Sequence, residues 1–123
     1  PARAGVNRKF LLIEDEEAVA YVVAAFLQHE GHDVIHAADG TQGWHLLSGD
    51  PAAFDAVIMD LNMPGMSGQE IARLARALPY ERPIVVMSGN ISEKDQREFA
   101  TLGINATLNK PFTHDIDAAI GAA

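Results

Sequence analysis

Five polar residues carry the chemistry this chain could do: Glu14, Asp15, Asp60, Ser88 and Lys110. Each follows or ends a short apolar run: Phe10 to Ile13 precedes the two acids, Ala56 to Met59 precedes Asp60, Ile84 to Met87 precedes Ser88, and Ala106 to Leu108 lies just before Lys110. Three acids, one hydroxyl and one lysine scattered at random would not each fall at the end of an apolar segment, so the pattern points to one shared polar site. Gathered together, three carboxylates and one ammonium leave two negative charges uncompensated, and a divalent cation would neutralise them. The donors are all oxygens, with no cysteine in the chain, which favours Mg²⁺ or Mn²⁺ over zinc or copper.

Asp60 differs from the other acids because it closes an apolar strand, where the backbone ladder holds it rigidly. A fixed carboxylate beside a metal can attack phosphorus and form an acyl phosphate. Lys110 could then pair with the phosphoryl group and the Ser88 hydroxyl could donate to one of its oxygens. Glu16 and Glu17 fit a plainer role, complementing the dipole at a helix start. The histidines do not suggest a second metal: His32 and His36 are four apart in a strand, which separates them by roughly 13 Å. The stretch Gly65 to Gly68 lacks the lysine and spacing of a nucleotide-binding phosphate loop and reads as a turn before a capped helix.

The elements that must position these groups follow from the hydrophobic pattern. Residues 1–8 show no periodicity and read as a linker or tail, leaving 9–123 as one domain. Four-residue apolar runs bounded by acids, glycines and prolines are the mark of strands buried on both faces. Between them lie helices. The first places Val19, Val22, Val23, Phe26 and Leu27 on one stripe and stops at Gly31; Tyr21 and Trp44 read as core or partial core. A second strand spans Asp33 to Ala37, and Asp39 with Gln42 opens a short helix through Leu47. Ser67 to Glu70 forms a capping box for a helix with Ile71, Leu74, Ala75 and Leu78 inward. A polar helix from Glu93 to Leu102 and a last one from Thr113 to Ile120 complete five βα units. Such alternation predicts an α/β fold: an open, doubly wound parallel sheet whose ligands bind at the carboxyl ends of the strands. With 123 residues the chain is too short for an eight-unit barrel.

Bulk properties narrow the function. A formal charge of −8 repels a polyanion, so no direct nucleic-acid binding is expected. The longest apolar stretch, Ala18 to Leu27, is about half the length of a membrane span, and no signal peptide is visible. With no cysteine there is no disulfide framework, which suits a cytoplasmic location.

Four motifs in order, Glu14-Asp15 after FLLI, MDLNMPGMSG from Met59 to Gly68, Ser88 after PIVVM, and Asn109-Lys110-Pro111-Phe112, resemble the receiver domain of two-component response regulators. The resemblance runs from Lys9 to about Ile120. It implies a flavodoxin-like strand order 2-1-3-4-5, with Asp60 as phosphoacceptor and Mg²⁺ as cofactor. Asp15 becomes a direct metal ligand, Glu14 a ligand through water, and the backbone carbonyl of Asn62 a further ligand. Ser88 becomes the switch hydroxyl and Lys110 the phosphate partner, with a cis bond before Pro111. Asn62 and Asn90 stand where the family tunes loss of the phosphate to water. The implied partners are a histidine kinase or histidine phosphotransfer domain as donor, and an output domain or downstream protein not in this chain.

Two positions depart from the family pattern: Glu14 replaces the commoner aspartate, and Thr107 stands where many members carry the tyrosine or phenylalanine that swings inward on activation. A hydrogen bond to a charged group contributes roughly 1.5–3 kcal/mol, while swinging a two-state equilibrium fully takes about 5.5 kcal/mol. Ser88 must therefore act together with Lys110 and partner binding. The expected function is a signalling receiver that catalyses its own phosphorylation and dephosphorylation and turns over no separate metabolite. Two other readings stay open: a small Mg-dependent phosphohydrolase using Asp60, and a receiver-like interaction module that is not phosphorylated. A segment of a larger protein such as a hybrid histidine kinase is favoured slightly over a stand-alone regulator.

Overall fold

Alternate residues of each inner strand face opposite sides, and both sides are covered. In the computed structural model, which describes residues 7–61, 63–89 and 91–109, β1 (Lys9–Ile13), β2 (Asp33–Ala37), β3 (Ala56–Asp60), β4 (Ile84–Ser88) and β5 (Ala106–Asn109) form one sheet. All the pairings are parallel and the order is β2-β1-β3-β4-β5. This is the flavodoxin-like order, and β1 and β3 are the strands flanking its switch point. The helices are α1 (Glu17–His29), α2 (Gly40–Gly49), α3 (Gly68–Ala77) and α4 (Glu93–Thr101), with a 3-10 turn at Pro51–Ala53.

Two cores result. Leu11, Ile13, Val57, Met59, Ile84 and Val86 pack with Leu47 of α2, Ile71 and Ala75 of α3 and Phe99 of α4. Phe10, Leu12, Ala56, Ile58, Val85 and Met87 pack on the other face with Ala20, Val23 and Leu27 of α1. Because the central strands are buried on both faces, their sequences are continuously apolar; the edge strand β2 is largely exposed and reads as mixed.

The caps explain where the helices start. Asp39 accepts from the N–H of Gln42, whose own Oε1 accepts from Ala38 N–H, one residue earlier than a capping box requires. Ser67 accepts from Glu70 N–H as expected, while the reciprocal box is found at Ser92 and Asp95 of α4. At the opposite end of the sheet, Arg76 donates to the carbonyls of Tyr80, Arg82 and Gly103 and to Oδ1 of Asn105. That oxygen also accepts from Ile84 N–H at 2.8 Å, which ties α3 to the start of β4 and the approach to β5.

Both expected stripes hold in the main: Val23 and Leu27 of α1 and Ile71 and Ala75 of α3 are buried, and Val19 and Phe26 pack against the second core. On α1 the buried residues are Ala20, Val23 and Leu27; Val22 is 49% exposed and Tyr21 76% exposed, so Tyr21 is not a core residue. Trp44 is partly buried against the first core, as expected. On α3 Ala72 is buried and Leu78 is exposed, the helix having ended at Ala77. The predicted helix Thr113 to Ile120 and residues 1–6 of the predicted tail lie outside the described residues. Among the described residues, no helix is long and apolar enough to cross a membrane.

Candidate functional site

The carboxyl end of β1 delivers two acids in opposite environments. Glu14 is fully buried and Asp15 is exposed, as adjacent residues leaving a strand should be. Glu14 N–H donates to the Ala37 carbonyl at 3.0 Å, prolonging the β1–β2 ladder by one residue. Its Oε2 accepts from Glu16 N–H at 3.0 Å, bending the chain into α1 and supplying a carboxylate at a helix start whose N-cap, Glu16, has no side-chain cap. The carbonyl of Glu14 accepts from Nε2 of His36 at 2.7 Å.

Asp60 closes β3 and is 8% exposed. Its Oδ1 accepts from Leu61 N–H at 2.7 Å, a bond between neighbours that fixes the carboxylate rotamer. The next turn is held from below: Leu61 N–H reaches the Met87 carbonyl at 3.3 Å and Gly68 N–H reaches the Leu61 carbonyl at 3.2 Å. On the adjacent strand, Asp60 pairs with Met87, so Ser88 stands one residue further toward the carboxyl rim and is buried. The loop from β3 to α3 rests on the start of α2, where Gly40 N–H donates to the Pro64 carbonyl at 3.2 Å.

One oxygen each from Glu14, Asp15 and Asp60 lies within 4.8 Å of the others. In octahedral magnesium coordination, with bonds of about 2.1 Å, two ligand oxygens stand at most about 4.2 Å apart. Oxygens spread over no more than 4.8 Å are close enough to share one cation, directly or through a water. The donor set, three hard oxygens on an anionic rim, fits Mg²⁺.

Glu14, Asp15 and Asp60 come together, and Ser88 stands at the same end of the sheet, one residue beyond the strand partner of Asp60. Lys110, the Asn62 carbonyl, Asn90 and the bond before Pro111 lie outside the described residues. His36, which strand spacing sets too far from His32 to share a metal with it, contributes a hydrogen bond to the main chain of the acidic turn. His32 is buried, accepting from Arg8 N–H at 3.1 Å and standing edge-on to Phe10.

Comparison with known proteins gives a coherent result. A family model described as the response regulator receiver domain matches residues 10–119. The transcription factor SKN7 of Chaetomium thermophilum is 34% identical over 107 residues, covering 87% of this chain and 14% of that protein. The chain spans less than half the length of the curated relatives it matches. Among solved structures, the chemotaxis response regulator CheY4 of Vibrio cholerae superposes with a TM-score of 0.82 at 28% identity, covering 96% of this chain and all of that one. The receiver domain of the sensor histidine kinase PA1611 of Pseudomonas aeruginosa superposes with a TM-score of 0.82 at 27% identity, over 94% of this chain and 95% of that one. That structure has a magnesium ion coordinated in its active-site cleft.

Proposed function

Because this chain belongs to the response regulator receiver domain family of two-component signalling, we propose that it takes a phosphoryl group from a phosphohistidine onto Asp60 and holds it as an acyl phosphate. The observation that carries this reading is the meeting of Glu14, Asp15 and Asp60 within 4.8 Å, beside Ser88 on the same rim. In the transfer, a carboxylate oxygen of Asp60 forms a bond to phosphorus while the bond from phosphorus to the donor imidazole nitrogen breaks. The electron pair leaves with the imidazole, which then takes a proton from solvent. Later attack of water on phosphorus returns the carboxylate and releases inorganic phosphate.

Glu14, Asp15 and Asp60 would hold Mg²⁺, and the ion when bound supplies positive charge against the phosphoryl oxygens. The protein's own part is placement. The backbone ladder and the Leu61 N–H fix Asp60 at the strand end, which restricts it to the in-line approach that phosphoryl transfer needs. The Ser88 hydroxyl on the same rim can donate to a phosphoryl oxygen, and Lys110 is proposed as its cationic partner. The donor is a histidine kinase or a histidine phosphotransfer domain, and the exposed side chains of Tyr21 and Val22 on α1 supply apolar surface for its docking.

The reading is tested by incubating the protein with Mg²⁺ and a small acyl phosphate and weighing it intact. The expected result is one added phosphoryl group in the parent and none in Asp60→Asn. An unchanged parent mass, under conditions that modify a receiver of proven activity, would defeat it. Steady hydrolysis of a generic phosphate ester would instead favour the phosphohydrolase reading.

A further inference from the structure

Both main-chain groups of Glu14 are tied to β2: its N–H donates to the Ala37 carbonyl at 3.0 Å, and its carbonyl accepts from His36 Nε2 at 2.7 Å. The first bond belongs to the sheet ladder. The second is made by a side chain, and it acts on a particular peptide group, the one joining Glu14 to Asp15. That group is planar, so fixing its oxygen also fixes the direction in which the chain enters Asp15. The same carbonyl begins the segment leaving the sheet, and among the described residues no strand lies beyond β2 to support it.

We propose that His36 is a positioning residue for the cation site: its Nε2–H orients the Glu14–Asp15 peptide and so sets the Asp15 carboxylate against Glu14 and Asp60. This rests on the reading of the three acids as a cation site. His36 is exposed and pairs in register with Leu12, one residue short of the end of β1, so its ring reaches forward over the strand end. An exposed histidine on an edge strand contributes little to either core, and neither core includes it. Its hydrogen bond therefore bears on the turn rather than on the packing. Groups that orient a ligand without touching the metal typically change affinity by 10–100-fold when removed.

The test titrates Mg²⁺ into unphosphorylated parent, His36→Ala, His36→Gln and Asp15→Asn, following backbone amide shifts, with thermal midpoints as a check on folding. Glutamine is included because its side-chain amide nitrogen can stand in for Nε2 as a donor. The expected result is Mg²⁺ affinity about tenfold weaker in His36→Ala and within about threefold of the parent in His36→Gln. Faster hydrogen exchange at the Asp15 and Glu16 amides of metal-free His36→Ala is also expected. Equal affinity in His36→Ala and parent, or a glutamine variant as weak as the alanine one, would overturn the proposal while leaving the cation site standing. A parent that binds no Mg²⁺, or that binds it as tightly as Asp15→Asn, would overturn both.

Discussion

The Cβ that Gly68 lacks would stand 3.1 Å from the main-chain oxygen of Asp60, and 3.4 Å from Cα of Leu61. The first turn of α3 is therefore packed directly against the peptide that carries Asp60, the proposed phosphoacceptor. Gly68→Ala is expected to push on that peptide because neither backbone can yield freely. The cost should be about 1–2 kcal/mol of stability, measured by urea denaturation. It should be accompanied by slower acyl-phosphate uptake in an intact-mass time course. Parent-like uptake at reduced stability would show that the strand end absorbs the shift without moving the carboxylate.

Gly40 is more severely constrained, since an added Cβ would fall 1.8 Å from the Met66 carbonyl oxygen and 2.7 Å from its carbon. Gly40→Ala must separate the β3–α3 loop from α2. Its expected cost is about 3 kcal/mol, read from the denaturation midpoint, with loss of protection at the Gly40 amide that now donates to Pro64.

Three carboxylates within 4.8 Å repel one another when no cation stands between them. Two like charges at that separation and an effective dielectric near 20 repel by roughly 3 kcal/mol, reduced here because Asp15 is exposed. In a chelator, Asp60→Asn should therefore be more stable than the parent, by about 1 kcal/mol. Adding Mg²⁺ should reverse the order: at a hundred times its dissociation constant a ligand adds about 2.7 kcal/mol to a protein that binds it only when folded. Thermal midpoints of both proteins with and without Mg²⁺ check the crossing, and parallel responses would contradict it.

Burial pushes the Tyr80 phenol up to about 12, with Asp55 adding to the shift and the charges of Arg82 and Arg76 opposing it. The folded protein thus favours the neutral phenol, whose hydroxyl donates to the Phe54 carbonyl at 3.0 Å. This stabilisation is fully present below the unfolded value near 10 and is lost as pH rises from about 10 to about 12. Tyr80→Phe should cost about 1 kcal/mol at neutral pH, because Arg82 still donates to the same carbonyl. It should also flatten the decline of stability above pH 10, measured by denaturation at a series of alkaline pH values.

The strands were legible because burial on both faces leaves an uninterrupted apolar run, and the strand bounds agree with it to within one residue. The rim site was legible for the same reason, since a charged residue ending such a run has nowhere to be except the strand end. The helix faces were legible only in part. From Ala18 to Ala25 every residue of α1 is apolar, so spacing alone does not fix the edges of the stripe through Val19, Val22, Val23, Phe26 and Leu27. Packing against the sheet kept Val19, Val23, Phe26 and Leu27, added Ala20, and left Tyr21 and Val22 outside. His36 was illegible for another reason: its partner is a backbone carbonyl, which has no signature in the order of side chains.

The two cores touch different helices and share only the strands between them. A substitution on α1 alters the packing of Phe10, Leu12 and Ile58 and leaves that of Ile71, Ala75 and Phe99 intact. Lineages can thus diverge on one side of the sheet while the other stays under its own selection. Changes on α1 and changes on α3 or α4 can therefore accumulate separately and in either order, each against a core whose packing the other does not touch.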